Sequence, residues 1–177
     1  MSENIKFYFY AKNEKNLKKK LTQNLTLFYT PNYPKKFNTT SNKKYSVTIG
    51  IGGNIGNTKK LFDKLILCLK KDSRFTLLMT SALLRNPPFG FLEQNDFLNG
   101  IIKLKTNLCP KDFLKAMQRY ENKFGRKRSF QDAPRTLDID IIFFDNKKIN
   151  TEKLIIPHKD WAIRESVIIP LKHMNKL

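Results

Sequence analysis

Apolar and polar residues alternate along positions 45–51, where valine or isoleucine occupies every second position from Val47 to Ile51. An alternation of period two is typical of a strand that buries one face. The strand runs into Gly52-Gly53-Asn54, a turn in which residues without a Cβ let the backbone approach a neighbour or adopt positive φ. These glycines lack the spacing of a Walker loop or a dinucleotide fingerprint, so we predict a turn without assigning it a function.

The period then lengthens to between three and four residues in two segments, which predicts two amphipathic helices. The first begins at Asn57 or Thr58, either of which suits a helix cap. The second begins at Pro110 and ends at Gly125, residue types that favour a helix start and a helix stop. Two further strands are predicted between the helices, over residues 75–84 and 97–105.

A third kind of pattern follows at residues 137–144, which are almost continuously apolar and β-branched except for Asp138 and Asp140. Such a run indicates a central strand. Side chains two apart on a strand share a face and lie roughly 6.5 to 7 Å apart, so both carboxylates are expected to point the same way. Paired carboxylates on a core strand imply a cation or several donors opposite them, and Mg²⁺ suits hard oxygen ligands at this spacing. An edge strand with a hydrated polar face is the alternative.

The order of elements is strand, helix, strand, strand, helix, strand. We therefore predict an α+β fold, a ferredoxin-like two-layer α/β sandwich with a βαββαβ core, C-terminal additions and both helices on one face. The additions are a short strand that ends at Pro157-His158 and an amphipathic segment over residues 160–171, with Trp161, Val167 and Ile168 expected to face inward.

Composition separates the first 44 residues from the rest. Residues 1–44 form a Lys-rich N-terminal extension whose two strand-like patches, 5–11 and 25–30, could pair as a hairpin followed by a linker. Residues 45–177 form the main domain. No run approaches the roughly 20 apolar residues that cross a bilayer, and the two cysteines form no disulfide or zinc pattern, so we expect a cytoplasmic protein.

The net charge of +19 would usually suggest nucleic acid as a partner. Lysine supplies 27 of the 34 basic residues, however, and a lysine-rich, asparagine-rich composition can reflect an AT-rich coding sequence. The arginines are more informative, because four of the seven fall between positions 119 and 135, next to the paired acids.

Cationic and amide side chains near these acids indicate two substrate regions. Arg126, Arg128, Arg135, His158 and Arg164, together with Mg²⁺ on the aspartates, are suited to a site of polyphosphate transfer. A stiff loop, Asn86-Pro87-Pro88-Phe89-Gly90, together with Phe97 and Asn99, could stack and hydrogen-bond a flat heterocycle.

An RNA-binding module is the main rival, since the same order of strands and helices also builds the RNA recognition motif. That module carries aromatic residues along its third strand, whereas residues 97–104 here read Phe-Leu-Asn-Gly-Ile-Ile-Lys-Leu. A nucleotide-binding domain without catalysis is a second rival.

The segment Ala-Pro-Arg-Thr-Leu-Asp-Ile-Asp-Ile at 133–141 resembles the signature of the 6-hydroxymethyl-7,8-dihydropterin pyrophosphokinases of folate biosynthesis. The resemblance covers about residues 45–171. It continues, in order, through Gly-Gly-Asn at 52–54, Asn-Pro-Pro-Phe-Gly at 86–90, Asp-Phe-Leu-Asn at 96–99, Gln-Arg-Tyr-Glu at 118–121, Gly-Arg-Lys-Arg at 125–128, Ile-Asn-Thr-Glu at 149–152 and Ile-Pro-His at 156–158.

The resemblance implies that ATP donates its β,γ-pyrophosphoryl group to the pterin hydroxymethyl oxygen and that AMP leaves. It implies two Mg²⁺ ions held by Asp138 and Asp140, and transfer assisted by Arg126 and Arg135 from a loop that closes over both substrates. It assigns the nucleotide to Gln118, Glu121, Arg128, Lys153, His158 and Arg164, with main-chain groups near Ile141 and Ile155 on the adenine, and the pterin to Asn86, Pro87, Pro88, Phe89, Phe97 and Asn99. Neither nucleic acid nor a membrane is an expected partner.

The chain departs from the family pattern in four places. The family usually has threonine where Asn86 stands, arginine where Lys153 stands, an aromatic residue where Ser166 stands, and frequently a tryptophan in the loop where this chain has Gln131 and Asp132.

Overall fold

A computed structural model describes residues 18–126 and 133–176 of the chain, and it has an α+β fold, as predicted. The strands of the described residues are β1 Lys18–Lys20, β2 Thr26–Phe28, β3 Lys35–Lys36, β4 Tyr45–Gly53, β5 Phe75–Thr80, β6 Leu83–Asn86, β7 Phe97–Thr106, β8 Asp138–Phe144, β9 Ile149–Thr151 and β10 Leu154–Ile156. The helices are α1 Thr58–Lys71, α2 Pro110–Lys123 and α3 Glu165–Met174. None of these helices has the length and apolar character that crossing a membrane requires.

Eight strands form one antiparallel sheet with the order β1-β2-β6-β7-β4-β8, and β5 pairs with β7 on one side and β3 on the other. The single strand predicted over 75–84 is divided into β5 and β6. Ser81 lies at the break, where its hydroxyl accepts a hydrogen bond from the Ile101 N–H (2.9 Å) and donates one to the Ala82 carbonyl (2.7 Å). Strands β9 and β10 form a separate hairpin.

Helices α1 and α2 cover one face of the sheet. Alternation along β4 and β8 turns Ile49, Ile51, Ile139 and Ile141 toward these helices, and all four side chains are buried in one core. Asn57 caps α1 through its side chain, which accepts a hydrogen bond from the Lys60 N–H at 3.1 Å. The predicted helices are therefore present, and both pack on the same side of the sheet.

Helix α3 covers part of the opposite face, where Val167 and Met174 pack on Ile101 of β7 and Ile142 of β8. The expectation that Trp161 faces inward was wrong. Its ring contacts Phe143 edge-on with centroids 4.9 Å apart, but the residue stays 36% exposed because it precedes the helix, in the turn that leads into it. A solvent-facing indole still covers apolar surface, since one side of the ring packs on Phe143.

Residues 18–44 add strands to two edges of the main sheet. Strand β2 pairs with β6, and β3 pairs with β5. Tyr33 between them is fully buried against α1, and its hydroxyl donates a hydrogen bond to the Phe62 carbonyl at 3.2 Å. Burial raises the pKa of Tyr33 well above its usual range, with a smaller contribution from Asp63. The domain boundary at residue 44 stays a prediction, and the patch at 5–11 lies outside the described residues.

Candidate active site

A cavity of about 730 Å³ opens on the α3 side of the sheet, where β4, β7 and β8 meet the loop after β6 and the start of α3. Most of the residues singled out from the sequence line it. They are Asn86, Pro87, Pro88, Phe89, Phe97, Asn99, Arg135, Asp138, Asp140, His158 and Arg164. The structure thus brings together the two acids, Arg135, His158, Arg164 and the loop that is predicted to hold a flat heterocycle.

The period of β8 explains why both carboxylates face this cavity. Ile139 and Ile141 take the buried positions against the helices, so Asp138 and Asp140 project from the other face. Opposite them on β4 stand Gly52 and Gly50. Both glycines line the cavity, and because they lack side chains the Asn99 amide can lie over Gly52 and the Ile142 side chain over Gly50.

Asp138 lies between two guanidinium groups. One carboxylate oxygen is 2.6 Å from Arg126 Nη2, and the other is 3.0 Å from Arg135 Nη1. Arg126 also pairs with Glu121. Burial alone would lower the pKa of Arg126, but the neighbouring Asp138 and Glu121 raise it above its ordinary value, so the guanidinium stays charged.

Asp140 has no such partner. Within residues 18–126 and 133–176, its carboxylate makes no hydrogen bond and no ion pair within 4.0 Å. Burial raises the pKa of Asp140, and repulsion from Asp138 raises it further, while His158, Arg164 and Arg135 act at longer range in the opposite direction. The described part of the cavity therefore contains one neutralised carboxylate and one without a countercharge in contact.

Glu121 is buried, only 4% exposed, although the resemblance assigns it to the nucleotide. Its carboxylate accepts a hydrogen bond from the Ile139 N–H at 2.7 Å and pairs with Arg126. Burial raises the pKa of Glu121, whereas the bonds from Arg126 and Ile139 lower it in part. In this arrangement Glu121 connects α2 to the start of β8. Gln118, three residues earlier, is exposed.

Asn54 connects three segments around the cavity, a role that sequence reasoning missed. Its side chain accepts a hydrogen bond from the Arg135 N–H (2.9 Å) and donates to Gln94 Oε1 (2.8 Å) and to the Asn95 carbonyl (3.0 Å). Its own N–H donates to the Arg135 carbonyl at 2.9 Å. The only signal in the sequence is an asparagine directly after two glycines, a common turn composition, so its partners could not have been deduced.

Arg135 itself enters the cavity with an unused donor. Its guanidinium carbon lies 5.1 Å from the centre of the Phe97 ring, and its buried Nε has no hydrogen-bond partner among the described residues. A buried donor without a partner is costly, and an oxygen atom of a bound anion would satisfy it.

His158 and Arg164 form the far wall. The His158 Nδ1 accepts a hydrogen bond from the Asp160 N–H at 3.2 Å, which places the proton of the neutral ring on Nε2. Arg164 donates to Asp160 at 3.0 Å, and its guanidinium lies 5.6 Å from the centre of the Phe89 ring. Ser166, where the family usually has an aromatic residue, also lines the cavity.

Other predicted site residues do not line this cavity. Gln118 and Lys153 are exposed on α2 and on the β9–β10 turn, Ile155 is 40% exposed, and the Ile141 side chain is buried in the core. Arg126 reaches the site through Asp138. Arg128 lies outside the described residues, as do Gln131 and Asp132.

Comparison with known proteins gives a consistent answer. Residues 48–176 match the model of the 7,8-dihydro-6-hydroxymethylpterin-pyrophosphokinase family. The chain is similar to 2-amino-4-hydroxy-6-hydroxymethyldihydropteridine pyrophosphokinases from Campylobacter jejuni, with 46% identity over 72% of this chain and 82% of the relative, and from Helicobacter pylori, with 40% identity over 83% and 90%. A Bacillus subtilis relative of the same name is 35% identical over 70% of this chain and 74% of its own length.

The family match spans the strand that carries Asp138 and Asp140 and every wall of the cavity. The resemblance seen in the signature segment is thereby confirmed, and the chain belongs to the 7,8-dihydro-6-hydroxymethylpterin-pyrophosphokinase family.

Proposed function

We propose that this chain transfers a pyrophosphoryl group from ATP to 6-hydroxymethyl-7,8-dihydropterin in folate biosynthesis. The pterin hydroxymethyl oxygen attacks the β-phosphorus, the bond between the β-phosphorus and the α,β-bridging oxygen breaks, AMP leaves and the hydroxyl proton is released. The observation that carries the proposal is the pair of carboxylates on β8, which faces a cavity lined by Arg135, His158 and Arg164 in a chain of this family.

We also propose two Mg²⁺ ions at Asp138 and Asp140. The donor set fits, because Mg²⁺ commonly takes one or two protein carboxylates and completes its shell with water and phosphate oxygens. Among the described residues no group of three or more metal-ligating side chains exists, and the carboxylate of Asp140 has no contact partner. Bound Mg²⁺ would neutralise charge on the triphosphate oxygens.

The arginines then have a phosphate-facing role. Arg126 and Arg135 now neutralise Asp138, and a cation bound to the carboxylates would compete with both guanidinium groups. The buried Nε of Arg135 has no hydrogen-bond partner among the described residues, so it could donate to an oxygen of the transferring phosphoryl group. Arg128 would join them from the same loop.

For the nucleotide we propose Gln118, Glu121, Arg128, Lys153, His158 and Arg164, with main-chain groups near Ile141 and Ile155 on the adenine. His158 can donate from Nε2 to a phosphate oxygen because its Nδ1 is already an acceptor. Glu121 is proposed to act indirectly, by holding Arg126 and the start of β8.

For the pterin we propose the loop Asn86, Pro87, Pro88 and Phe89 together with Phe97 and Asn99, all of which line the cavity beside the aspartates. The core is proposed to be ferredoxin-like. The order β8-β4-β7 with β5 and β6 at the far edge, and α1 and α2 on one face, support that classification. A cytoplasmic location is part of the same proposal.

The test is AMP formation in a mixture of the protein, ATP, Mg²⁺ and 6-hydroxymethyl-7,8-dihydropterin. We expect AMP only when all four are present, and we expect EDTA to abolish it. ATP turnover that is independent of the pterin would refute the proposal. The RNA-binding alternative gains no support, since α3 packs on the sheet face that would have to bind the bases.

A further inference from the structure

The amide groups of Asn86 and Asn99 are hydrogen-bonded to each other at the floor of the cavity. Asn99 Nδ2 donates to Asn86 Oδ1 at 2.7 Å, and Asn86 Nδ2 donates to the carbonyl of Pro87 at 2.8 Å. Both residues are half-buried, and both line the cavity. The two bonds form a chain that runs from the backbone of the stiff loop to β7.

The direction of this series of hydrogen bonds is determined by the Pro87 carbonyl. A backbone carbonyl can only accept, so the Pro87 oxygen requires the NH₂ end of Asn86. The Asn86 oxygen must then face Asn99, and an oxygen facing Asn99 requires the NH₂ end of that amide in turn. A reversed amide at either position would place two oxygens or two NH₂ groups against each other.

As a consequence, the side-chain oxygen of Asn99 is held as an acceptor above β4. The Asn99 Oδ1 lies over Gly52, at a point only 2.7 Å from where a Cβ on that glycine would be. Gly52 lines the cavity two residues from Gly50, and both stand opposite the aspartates. A ligand seated on this floor therefore meets a carbonyl oxygen at a defined position.

We infer that Asn86 is a positioning residue, which sets the orientation of the Asn99 amide and thereby selects a flat ring that presents an amino group to the Asn99 oxygen. The inference rests on the proposed function and deepens it, because an amino-substituted, lactam-containing pteridine offers such a group. Sites that hydrogen-bond a specific group discriminate strongly against a ring that lacks it, because the buried partner is left unpaired.

The usual family residue at position 86 would act differently. A threonine hydroxyl can donate or accept, so it does not by itself impose one direction on a neighbouring amide. Asn86 of this chain does impose one direction, because the oxygen of its amide only accepts and the NH₂ group only donates. Asn86→Asp loses the bond to the Pro87 carbonyl, but it still presents an acceptor oxygen to Asn99, so the NH₂ end of Asn99 must still face position 86. Asn86→Leu and Asn86→Ala remove this acceptor.

The experiment measures two ring ligands, 6-hydroxymethylpterin and 6-hydroxymethyllumazine. The lumazine keeps the N3–H but has a carbonyl in place of the 2-amino group and an N–H at N1, so the comparison tests the amino donor. Calorimetric titration of each, with α,β-methylene-ATP and Mg²⁺ present, gives a preference ratio for the wild type and for each variant. Asn122→Leu, an exposed site on α2, is the matched control for Asn86→Leu.

We expect the wild type and Asn86→Asp to prefer the amino ring. In Asn86→Leu and Asn86→Ala the ratio should fall by about 3-fold to 10-fold, the equivalent of one net hydrogen bond, while affinity for the ATP analogue is unchanged. Equal weakening of both rings in these variants, or no preference in the wild type, would overturn the inference. Failure of the wild type to bind either ring would instead count against the proposed function.

Discussion

The two aspartates of β8 lie on the same face of the strand but differ in the charges that surround them. Asp138 is neutralised by Arg126 and Arg135, whereas among the residues that the structure describes Asp140 has longer-range cations alone to offset its burial and its neighbour's charge. A carboxylate held in this state opposes folding in its ionised form, because burial and repulsion both disfavour the charge. Its presence is easier to explain by what it binds than by what it stabilises.

Asp140→Asn separates a role in binding from a role in stability, since it removes the charge of the side chain and retains its shape. The free energy of unfolding at neutral pH should be equal to or higher than that of the wild type, because burial and repulsion no longer act on an anion. Mg²⁺-dependent AMP formation should fall by at least about 100-fold, a loss typical of removing one electrostatic contact to the reacting groups.

Urea unfolding and the AMP assay measure these two effects. Asp145→Asn is the matched control, because it makes the same change at an exposed turn whose positive φ of 50° suits asparagine. A loss of stability that parallels the loss of activity in Asp140→Asn would assign the residue to the fold instead.

Asn54 offers a second prediction at this scale. Asn54→Ala removes an acceptor from the Arg135 N–H and two donor contacts to the loop at 94–95. We expect a loss of roughly 1 to 3 kcal/mol in the free energy of unfolding, typical for buried groups left without partners. Amide hydrogen exchange should accelerate at residues 94–95 and 135 while β4 stays protected. Unchanged exchange at these positions would contradict the role assigned to Asn54.

Among the elements, the ends of α1 and α2 are joined by Asp72. Its carboxylate accepts bonds from Arg74 Nε (2.9 Å) and Nη2 (2.6 Å) and from the Tyr120 hydroxyl (2.7 Å). The Arg74 bond, aided by Tyr120 and opposed by burial, lowers the pKa of Asp72 from 3.8 to about 2. A carboxyl group whose pKa is lower in the folded state stabilises the fold at pH values above its unfolded-state pKa. That contribution is lost as the pH falls through the folded-state pKa.

Asp72→Asn should therefore lower the free energy of unfolding at pH 7, by about 1 kcal/mol once solvent screening of the half-exposed pair is considered. The difference between the wild type and the variant should shrink as the pH is lowered from 4 to 2. Urea midpoints across this range measure it. A difference that stays constant down to pH 2 would show that Asp72 does not act through its charge.

Elements that depend on local patterns were predictable, and elements that depend on distant partners were not. The period of β4, the stripes of α1 and α2 and the shared face of Asp138 and Asp140 follow from neighbouring residues alone. The division of the predicted strand at Ser81 depends on a hydrogen bond from the Ile101 N–H, which lies 20 residues away along the chain. The burial of Glu121 was hidden for the same reason, because its partner Ile139 lies 18 residues away.

Across the whole molecule, the N-terminal segment and the catalytic sheet share one core. Tyr33 is fully buried in the same cluster as residues of β4, α1 and α2, and Leu25 and Leu27 pack with Ala82 and Leu84 on the other face. The sequence indicated strands in this region but could not locate their partners. Because β2 pairs with β6, the N-terminal segment lies beside the strand that leads into the loop beginning at Asn86.

Tyr33→Ala should then destabilise the entire chain, by about 3 to 5 kcal/mol, as expected for removing a large buried aromatic side chain. Circular dichroism during urea unfolding should show a single transition at a lower midpoint. Leu67→Ala, at a 55% exposed position on α1, should leave the midpoint nearly unchanged. Two separate transitions, or an unchanged midpoint in Tyr33→Ala, would mean that residues 18–44 are not part of the cooperative unit.

Product analysis by mass spectrometry tests most directly whether the cavity transfers a pyrophosphoryl group intact. Incubation with ATP, Mg²⁺ and 6-hydroxymethyl-7,8-dihydropterin should yield the pterin diphosphate and AMP in equal amounts. Formation of ADP with a pterin monophosphate, or of AMP with free pyrophosphate and unmodified pterin, would contradict the account.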